Sequence, residues 1–222
     1  MLKKVVNLIL VLLLLFCVFN VAKKAYNTYH NKITYEKIKL EKEQHKDDLI
    51  NYLNEKDIDW ITVTNTSIDY PIKTTDDNEY YLTHDINGST NLGGAIFYDA
   101  SSIPFKENNT IIYGHSMMDG SMFNNLHYFK NDINRFKKSE VIITRKNGEV
   151  LKYKPLGLYL TNDDWFFYNL NNISIKDAVK LIQKKSIYDI DVKYSDDSNI
   201  ITLMTCSYEQ NNERLFVFFI SE

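Results

Sequence analysis

Cys206 and Arg214, near the C-terminal end of the sequence, could act together in chemistry on a carbonyl group. Cys206 closes the β-type run that begins at Asn199, and Arg214 opens the next such run, which continues to Ile220. Two strands joined by the short polar stretch 207–213 should lie antiparallel, so that the thiol and the guanidinium come close together. A neighbouring cation favours the thiolate, which is the nucleophilic form of cysteine.

His115 is the candidate for the proton transfers that such a nucleophile requires. It follows the buried-looking run Thr110–Tyr113, and Gly114 permits unusual backbone angles between the two. The histidines that compete with it are in polar stretches or in a candidate helix: His30, His45, His84 and His127. A loop histidine or a strand cysteine alone is commonly structural. Together, the three residues offer a nucleophile, a general acid and a cation for a developing oxyanion.

The second cysteine, Cys17, lies within an apolar N-terminal run, so Cys206 has no plausible intrachain disulfide partner. A free thiol in a folded domain therefore calls for a chemical explanation. A metal site built from His115, Cys206 and another histidine is an alternative, but no motif with metal-ligand spacing supports it.

The N-terminal run Val5–Ala22 is almost wholly apolar. About 18 residues at a rise of ~1.5 Å come close to the ~30 Å thickness of the hydrocarbon core of a bilayer. A cleaved signal peptide is the alternative, but no convincing small-x-small cleavage site follows the run, so we favour an uncleaved anchor. Two lysines lie on each side of the run, so the positive-inside rule does not decide its orientation.

The charge distribution argues against a nucleic-acid partner. The chain has 26 Lys and Arg, 29 Asp and Glu, and a formal charge of −3. Residues 1–24 hold four lysines and no acid, so the part of the chain after them is more acidic than the total suggests. It contains no basic stripe of the kind that binds phosphates.

The remaining sequence divides into a helical stretch and a β-rich domain. In residues 23–56, apolar and aromatic side chains recur intermittently at helical spacing. This pattern fits either a solvated stalk or a helix docked on the domain. Short β-type runs follow, separated by candidate helices at Met122–Phe129 and Ser174–Ile187. Besides the three runs already described, these are Trp60–Thr64, Ile68–Ile72, Gly93–Tyr98, Val141–Arg145 and Val150–Lys154, which can continue to Leu160. Many short strands with few helices predict a closed or nearly closed β-barrel.

The segment Thr202–Cys206 resembles the Thr-Leu-x-Thr-Cys signature of sortases, the membrane-anchored transpeptidases of Gram-positive cell envelopes. Tyr113-Gly114-His115 matches the segment that carries their catalytic histidine, and Arg214 matches the arginine that begins their final strand. The resemblance covers roughly residues 57–222, and the order His, Cys, Arg is that of the family.

Class B sortases are the most similar subfamily. The stretches that resemble them are Asn78–Leu82, Gly94–Asp99, His115–Met117, and Met122, Phe123 and Leu126. Ser207 is a departure, since some class B enzymes have an acidic residue there. The resemblance implies a mostly β fold: a closed eight-stranded barrel with a few peripheral helices and an N-terminal helical extension. It also implies a short cytoplasmic end (1–4), a transmembrane anchor (5–22), a helical juxtamembrane extension (23–56) and an extracytoplasmic catalytic barrel (57–222).

The resemblance further implies cleavage of an x-Pro-x-Thr-x sorting signal in a secreted protein. Cys206 would form a thioacyl enzyme after Thr, His115 would transfer protons and Arg214 would hold the substrate backbone or the oxyanion. The acyl group would pass to a peptidoglycan amine, without any metal or organic cofactor. Residues expected at the substrate groove are Asn78, Leu82, Tyr168, Thr205 and Ser207. A cysteine hydrolase and a non-catalytic, membrane-tethered peptide-binding barrel remain alternatives.

Overall fold

The computed structural model describes residues 2–162, 169–206 and 213–221, within which eight strands close into a barrel. The strands are β1 (Asp59–Val63), β2 (Asp69–Lys73), β3 (Ile96–Tyr98), β4 (Asn109–Tyr113), β5 (Val141–Thr144), β6 (Val150–Thr161), β7 (Ile200–Cys206) and β8 (Arg214–Ser221). Their order around the barrel is β1-β2-β3-β4-β7-β8-β6-β5. The pairs β2–β3 and β4–β7 are parallel, and the other neighbours are antiparallel.

The α-helices within the described residues are α1 (Leu2–Gln44), α2 (Leu49–Lys56), α3 (Tyr128–Asn131), α4 (Ile133–Lys137) and α5 (Ile175–Lys185). Short 3-10 helices cover Lys46–Asp48, Tyr80–Leu82, Asn124–His127 and Leu170–Asn172. The sequence-based prediction of a mostly β barrel with peripheral helices and an N-terminal helical extension is confirmed.

Strand β8 is apolar from Leu215 to Ile220 because both of its faces are covered. Leu215, Val217 and Phe219 join the main core, whereas Phe216 and Phe218 belong to a second cluster. That second cluster also contains the apolar face of α5. Burial on two sides explains why the sequence shows a continuous hydrophobic run instead of the alternation of a half-exposed strand.

Helix α5 begins at the predicted position and ends two residues early. The Ser174 hydroxyl accepts a hydrogen bond from the Asp177 backbone N–H at 3.1 Å, which caps the helix. The predicted helix Met122–Phe129 is wrong in detail, since Met122 has a left-handed backbone (φ +56°). The segment instead forms the 3-10 helix Asn124–His127 followed by α3. Such backbone angles interrupt a helix whatever the apolar spacing suggests.

Strand β3 is shorter than the predicted run from Gly93. Gly94 has φ +57°, and a Cβ there would lie 2.3 Å from the Tyr81 carbonyl oxygen. The chain therefore turns tightly at Gly94 against the segment that precedes it, and the ladder begins only at Ile96. By contrast, β6 runs through Pro155 as predicted, with an irregularity in its pairing between Pro155 and Gly157.

Helix α1 is continuous for 43 residues and divides into two halves by exposure. Every side chain from residue 2 to residue 26 is exposed, and this half is long and apolar enough to cross a membrane. In the second half, Asn31, Tyr35 and Ile38 are buried against the barrel. Of the two interpretations of residues 23–56, docking therefore describes α1 from Asn31 onward.

Hydrogen bonds and aromatic contacts hold the docked half of α1. The Tyr35 hydroxyl donates to the Gly94 carbonyl oxygen at 2.6 Å, and its ring meets Tyr70 edge-on at 5.4 Å. Burial raises the pKa of Tyr35 well above its usual value. Lys42 pairs with Asp69 at 2.9 Å. Burial alone would raise the pKa of Asp69, but hydrogen bonds from Lys42 and Trp60 lower it below its usual value.

Candidate active site

The register of three neighbouring strands brings the candidate residues to one end of the barrel. In the antiparallel pair β7–β8, Cys206 lies directly opposite Arg214. On the other side of β7, the parallel strand β4 pairs Tyr113 with Met204. The Gly114 N–H continues this ladder by donating to the Met204 carbonyl oxygen at 3.1 Å. Two residues beyond Tyr113, His115 is therefore level with Cys206.

The predicted antiparallel arrangement of the two last strands is confirmed, including the opposition of Cys206 and Arg214. The position of His115 beside them could not be derived from the sequence, because it depends on the parallel contact between β4 and β7. Only the backbone of Cys206 is described, and Arg214 is partly exposed. Cys206, His115 and Arg214 thus occupy three adjacent backbone positions at one edge.

The imidazole of His115 is partly exposed and is oriented by a backbone carbonyl. Its Nε2 lies 2.8 Å from the Leu82 carbonyl oxygen, which can only accept, so Nε2–H is the donor. The other ring nitrogen, Nδ1, is then the one that can exchange a proton with a substrate. The structure thus places Leu82, a predicted groove residue, beside the candidate general acid.

Gly114 is required for space and not for an unusual backbone angle. Its φ is not among the positive values of the chain, contrary to the expectation from sequence. A Cβ at this position would lie 2.5 Å from the Ile96 side chain and 2.7 Å from the Phe123 ring. The close approach of these buried side chains fixes where β4 ends and hence where His115 emerges.

A buried carboxylate, Asp99, ties the segment before β3 to strand β4. Its side chain accepts hydrogen bonds from the Tyr113 hydroxyl, from Asn78 Nδ2 at 3.2 Å and from the Ser101 backbone N–H at 2.7 Å. The Asn78 side-chain oxygen in turn accepts from the Ala100 N–H at 2.9 Å. Asp99 is only 2% exposed, so these bonds replace the water that the carboxylate loses on burial.

Asp99 was not identified as a site residue from the sequence, although it closes the stretch Gly94–Asp99 that resembles class B sortases. In the sequence, Asp99 is an acidic residue directly after an apolar strand. A solvated turn residue has the same sequence pattern, and only tertiary contacts distinguish it from a buried, hydrogen-bonded carboxylate.

The remaining predicted groove residues differ in their surroundings. Leu82 is 39% exposed, whereas Thr205 is 2% exposed and falls in line with the core residues Ile201 and Leu203. The Thr205 hydroxyl is buried, with no hydrogen-bond partner within the described part of the chain. Tyr168 and Ser207 lie outside the described residues. Substrate contacts of all these residues stay predictions.

Two of the competing histidines stack on tyrosine rings. His45 stacks on Tyr52 with ring centroids 4.9 Å apart, and His84 stacks on Tyr80 at 4.2 Å. Across residues 2–162, 169–206 and 213–221, no group of three or more His, Cys, Asp and Glu side chains is arranged to hold a metal ion.

Comparison with known proteins identifies the family to which this arrangement belongs. Residues 61–219 match the Sortase domain family, which covers most of the chain. The chain belongs to the sortase family. Sortase B of Listeria monocytogenes is 33% identical to it over 168 residues, which are 73% of this chain and 67% of the relative.

Solved class B sortases have the same fold. The X-ray structure of Clostridium perfringens sortase B covers 78% of this chain and 98% of its own, with a TM-score of 0.69 and 27% identity. Sortase B from B. anthracis, solved in complex with AAEK1, covers 88% of this chain and 97% of its own, with a TM-score of 0.73 and 26% identity. The predicted class B resemblance is confirmed, and the chain is a sortase-type cysteine transpeptidase. The non-catalytic binding barrel is therefore set aside.

Proposed function

We propose that this sortase cleaves an x-Pro-x-Thr-x sorting signal after Thr and transfers the acyl group to a peptidoglycan amine. The observation that supports the proposal is the shared edge of β4, β7 and β8, where His115, Cys206 and Arg214 occupy adjacent backbone positions. Directly opposed residues of an antiparallel pair generally carry their side chains on one face. A guanidinium next to a cysteine favours the thiolate.

In the first half-reaction, the Cys206 thiolate attacks the carbonyl carbon of the substrate Thr. The carbonyl oxygen becomes an oxyanion, and the fixed guanidinium of Arg214 stabilises its charge. The C–N bond then breaks, and the His115 imidazolium gives its proton to the departing amine. The products are a thioester on Cys206, a neutral imidazole and a free amine-bearing peptide.

In the second half-reaction, the amine of a peptidoglycan precursor attacks the thioester. His115 takes the proton that this amine loses on forming the new amide bond. The C–S bond breaks, and sulfur leaves as the thiolate, so the enzyme returns to its starting charge and protonation. Hydrolysis follows the same course with water in place of the amine.

The Leu82 carbonyl gives the histidine a defined orientation for both steps. Because Nε2–H donates to this oxygen at 2.8 Å, we assign the exchanged proton to Nδ1. We propose that Asn78, Leu82, Tyr168, Thr205 and Ser207 contribute to the groove in which the sorting signal binds.

We further propose that residues 5–22 anchor the enzyme in the cell membrane, with residues 1–4 in the cytoplasm. Residues 23–56 would form the juxtamembrane extension, and the barrel of residues 57–222 would lie outside the cell. The apolar, fully exposed first half of α1 supports the anchor. The family resemblance supports the orientation, which local lysines leave undecided.

Product mass after incubation with a sorting peptide tests the proposed reaction. With an amine acceptor present, we expect the acyl fragment joined to that amine, and without acceptor a slow accumulation of a thioacyl adduct on Cys206 or of free acid. If the free acid alone forms at every acceptor concentration, the enzyme is a hydrolase. If peptides with Thr replaced by Ala are cut equally well, the proposed cleavage signal is wrong.

A further inference from the structure

The loop that follows His115 reaches back to helix α1 next to the proposed anchor. Its tip residue Met118 is 84% exposed, and the Met118 sulfur lies 3.8 Å from the Lys24 ammonium. Deeper in the same loop, the Ser121 hydroxyl accepts from the Asn31 side chain at 3.3 Å. The loop therefore runs alongside the turns of α1 that lead out of the apolar run Val5–Ala22.

The continuous helix fixes how far this loop lies from the bilayer. At a rise of ~1.5 Å per residue, Lys24 is about 3 Å beyond Ala22 along the helix axis, and Asn31 is about 14 Å beyond it. The headgroup region adds roughly 5–8 Å to each side of the hydrocarbon core. Met118 contacts α1 at Lys24 and therefore lies at the depth of the headgroups.

The surface at this depth has the composition of a membrane interface. At the same rise, Tyr26 on α1 is about 6 Å beyond Ala22, and its side chain is about two-thirds exposed. An open groove of about 530 Å³ between α1 and the loop is lined in part by Val21, Ala25 and Tyr29. Tyrosines at the headgroup level and apolar side chains just below it are typical of residues that anchor proteins at the interface.

We propose that Tyr26 and Met118 form a membrane-contacting rim that seats the barrel directly on the bilayer. The occupant of this surface is the headgroup and upper acyl region of the lipids around the anchor. The inference rests on the membrane anchor of the proposed function and adds a second contact to it. Because α1 docks on the barrel without a break, the barrel cannot move away from the bilayer as a domain on a flexible linker would.

The rim also limits where the enzyme meets its substrates. His115 is three residues from Met118, so their Cα atoms are at most about 10 Å apart. The candidate active site therefore opens close to the headgroups. Substrates that are themselves held at the same surface would reach it without crossing bulk solvent.

Quenching of tryptophan fluorescence by brominated phosphatidylcholine tests the rim in the full chain, reconstituted in nanodiscs. The test variant is Met118→Trp, and Trp60 and Trp165 give a constant background. Val150→Trp is the matched control, since Val150 is 53% exposed and belongs to the β5–β6 hairpin. This hairpin lies near α2, since a Cβ built on Gly148 would lie 3.9 Å from the Ile50 side chain. Helix α2 follows the end of α1 that is distant from the anchor.

We expect at least about twofold greater quenching for Met118→Trp than for Val150→Trp, and strong quenching for Val11→Trp within the anchor. Equal quenching of the Met118 and Val150 variants, with Val11→Trp strongly quenched, would overturn the rim and leave the anchor in place. No quenching in any variant would overturn the anchor and the rim together. Peptide cleavage by the unmodified chain in the same nanodiscs is measured separately, so failure of the catalytic proposal gives a different result.

Discussion

The two sides of the candidate active site are held in place by different kinds of contact. One side, the sheet wall, consists of the ends of β4, β7 and β8 and places its residues by backbone register. The other, the loop wall, comprises residues 78–101 and is held by side-chain hydrogen bonds to Asp99 and by the tight turn at Gly94. The sheet wall carries the proposed reacting groups, and the loop wall orients them.

The difference predicts how each wall responds to substitution. Backbone ladders do not depend on the identity of a single side chain, so a change in the sheet wall removes chemistry and leaves the geometry intact. In the loop wall, a few buried polar groups hold the conformation, and the loss of one leaves another without a partner. Substitutions there should alter both stability and substrate binding.

The largest effect is expected for Cys206→Ala, which removes the proposed nucleophile from the sheet wall. Peptide cleavage measured by mass spectrometry should fall to the uncatalysed background, because no thioacyl intermediate can form. Cys17→Ala is the matched control, since Cys17 is exposed in the first half of α1, and its cleavage rate should equal that of the wild type. Full cleavage by Cys206→Ala would remove the cysteine from the mechanism.

Arg214→Lys should lower kcat/KM by about 10- to 100-fold. Lysine keeps the positive charge but lacks the planar fork that holds an oxyanion or a peptide backbone through two N–H groups. The control Arg135→Lys changes an exposed arginine that lies over the Tyr128 ring and is not among the candidate site residues. Its activity should stay within about twofold of wild type. Wild-type rates for Arg214→Lys would show that a positive charge at this position is enough for activity and that the planar guanidinium is not needed.

In the loop wall, Asp99→Asn should lower kcat/KM by roughly tenfold, mainly through KM. Tyr113 and Asn78 donate to one oxygen of Asp99, and the Ser101 backbone N–H donates to the other. Asparagine has only one accepting oxygen, so it cannot serve both positions, and the segment that carries Leu82 loses part of its support. The free energy of unfolding should fall by about 2 kcal/mol, as is usual for a buried donor left without a partner.

The control for that variant is Asp76→Asn, which changes an exposed acid two residues before the loop wall. Its activity and its urea denaturation curve should match those of the wild type. A result in which Asp99→Asn lowers kcat alone, with KM unchanged, would contradict the positioning role and indicate direct participation in chemistry.

The smallest effect is expected where α1 supports the loop wall. Tyr35→Phe removes the hydrogen bond to the Gly94 carbonyl oxygen and should lower the free energy of unfolding by about 1 kcal/mol, with cleavage changed less than about threefold. Tyr29→Phe, six residues earlier on the same helix and 64% exposed, should change neither quantity. Equal denaturation midpoints for the two variants would show that the docked contact contributes no net stability.

The sheet wall was more predictable from the sequence than the loop wall. Apolar runs identify strands, and a short connection makes neighbouring strands antiparallel, so the opposition of Cys206 and Arg214 followed from local pattern. The parallel pairing of β4 with β7 joins segments about ninety residues apart, and no local signal encodes it. The His115 position was therefore derived only through family resemblance.

The loop wall depends on tertiary contacts that a sequence pattern does not reveal. Asp99 and Asn78 look like ordinary turn residues, and their roles follow from burial and from donors on distant segments. Strand alternation places Thr205 in line with buried residues, a burial that the sequence pattern did not indicate, and its expected substrate contact stays a prediction. Docking of α1 was left open because its few buried positions are widely spaced.

The place of β8 between β6 and β7 has a consequence for folding kinetics. This strand comes last in the chain, and it joins β6 to β7 by ladders on both of its edges. Until it inserts, the barrel is an open sheet and Arg214 has no defined position beside Cys206. Such long-range pairings form slowly, so a newly made chain should pass through a stage in which its thiol is not yet activated.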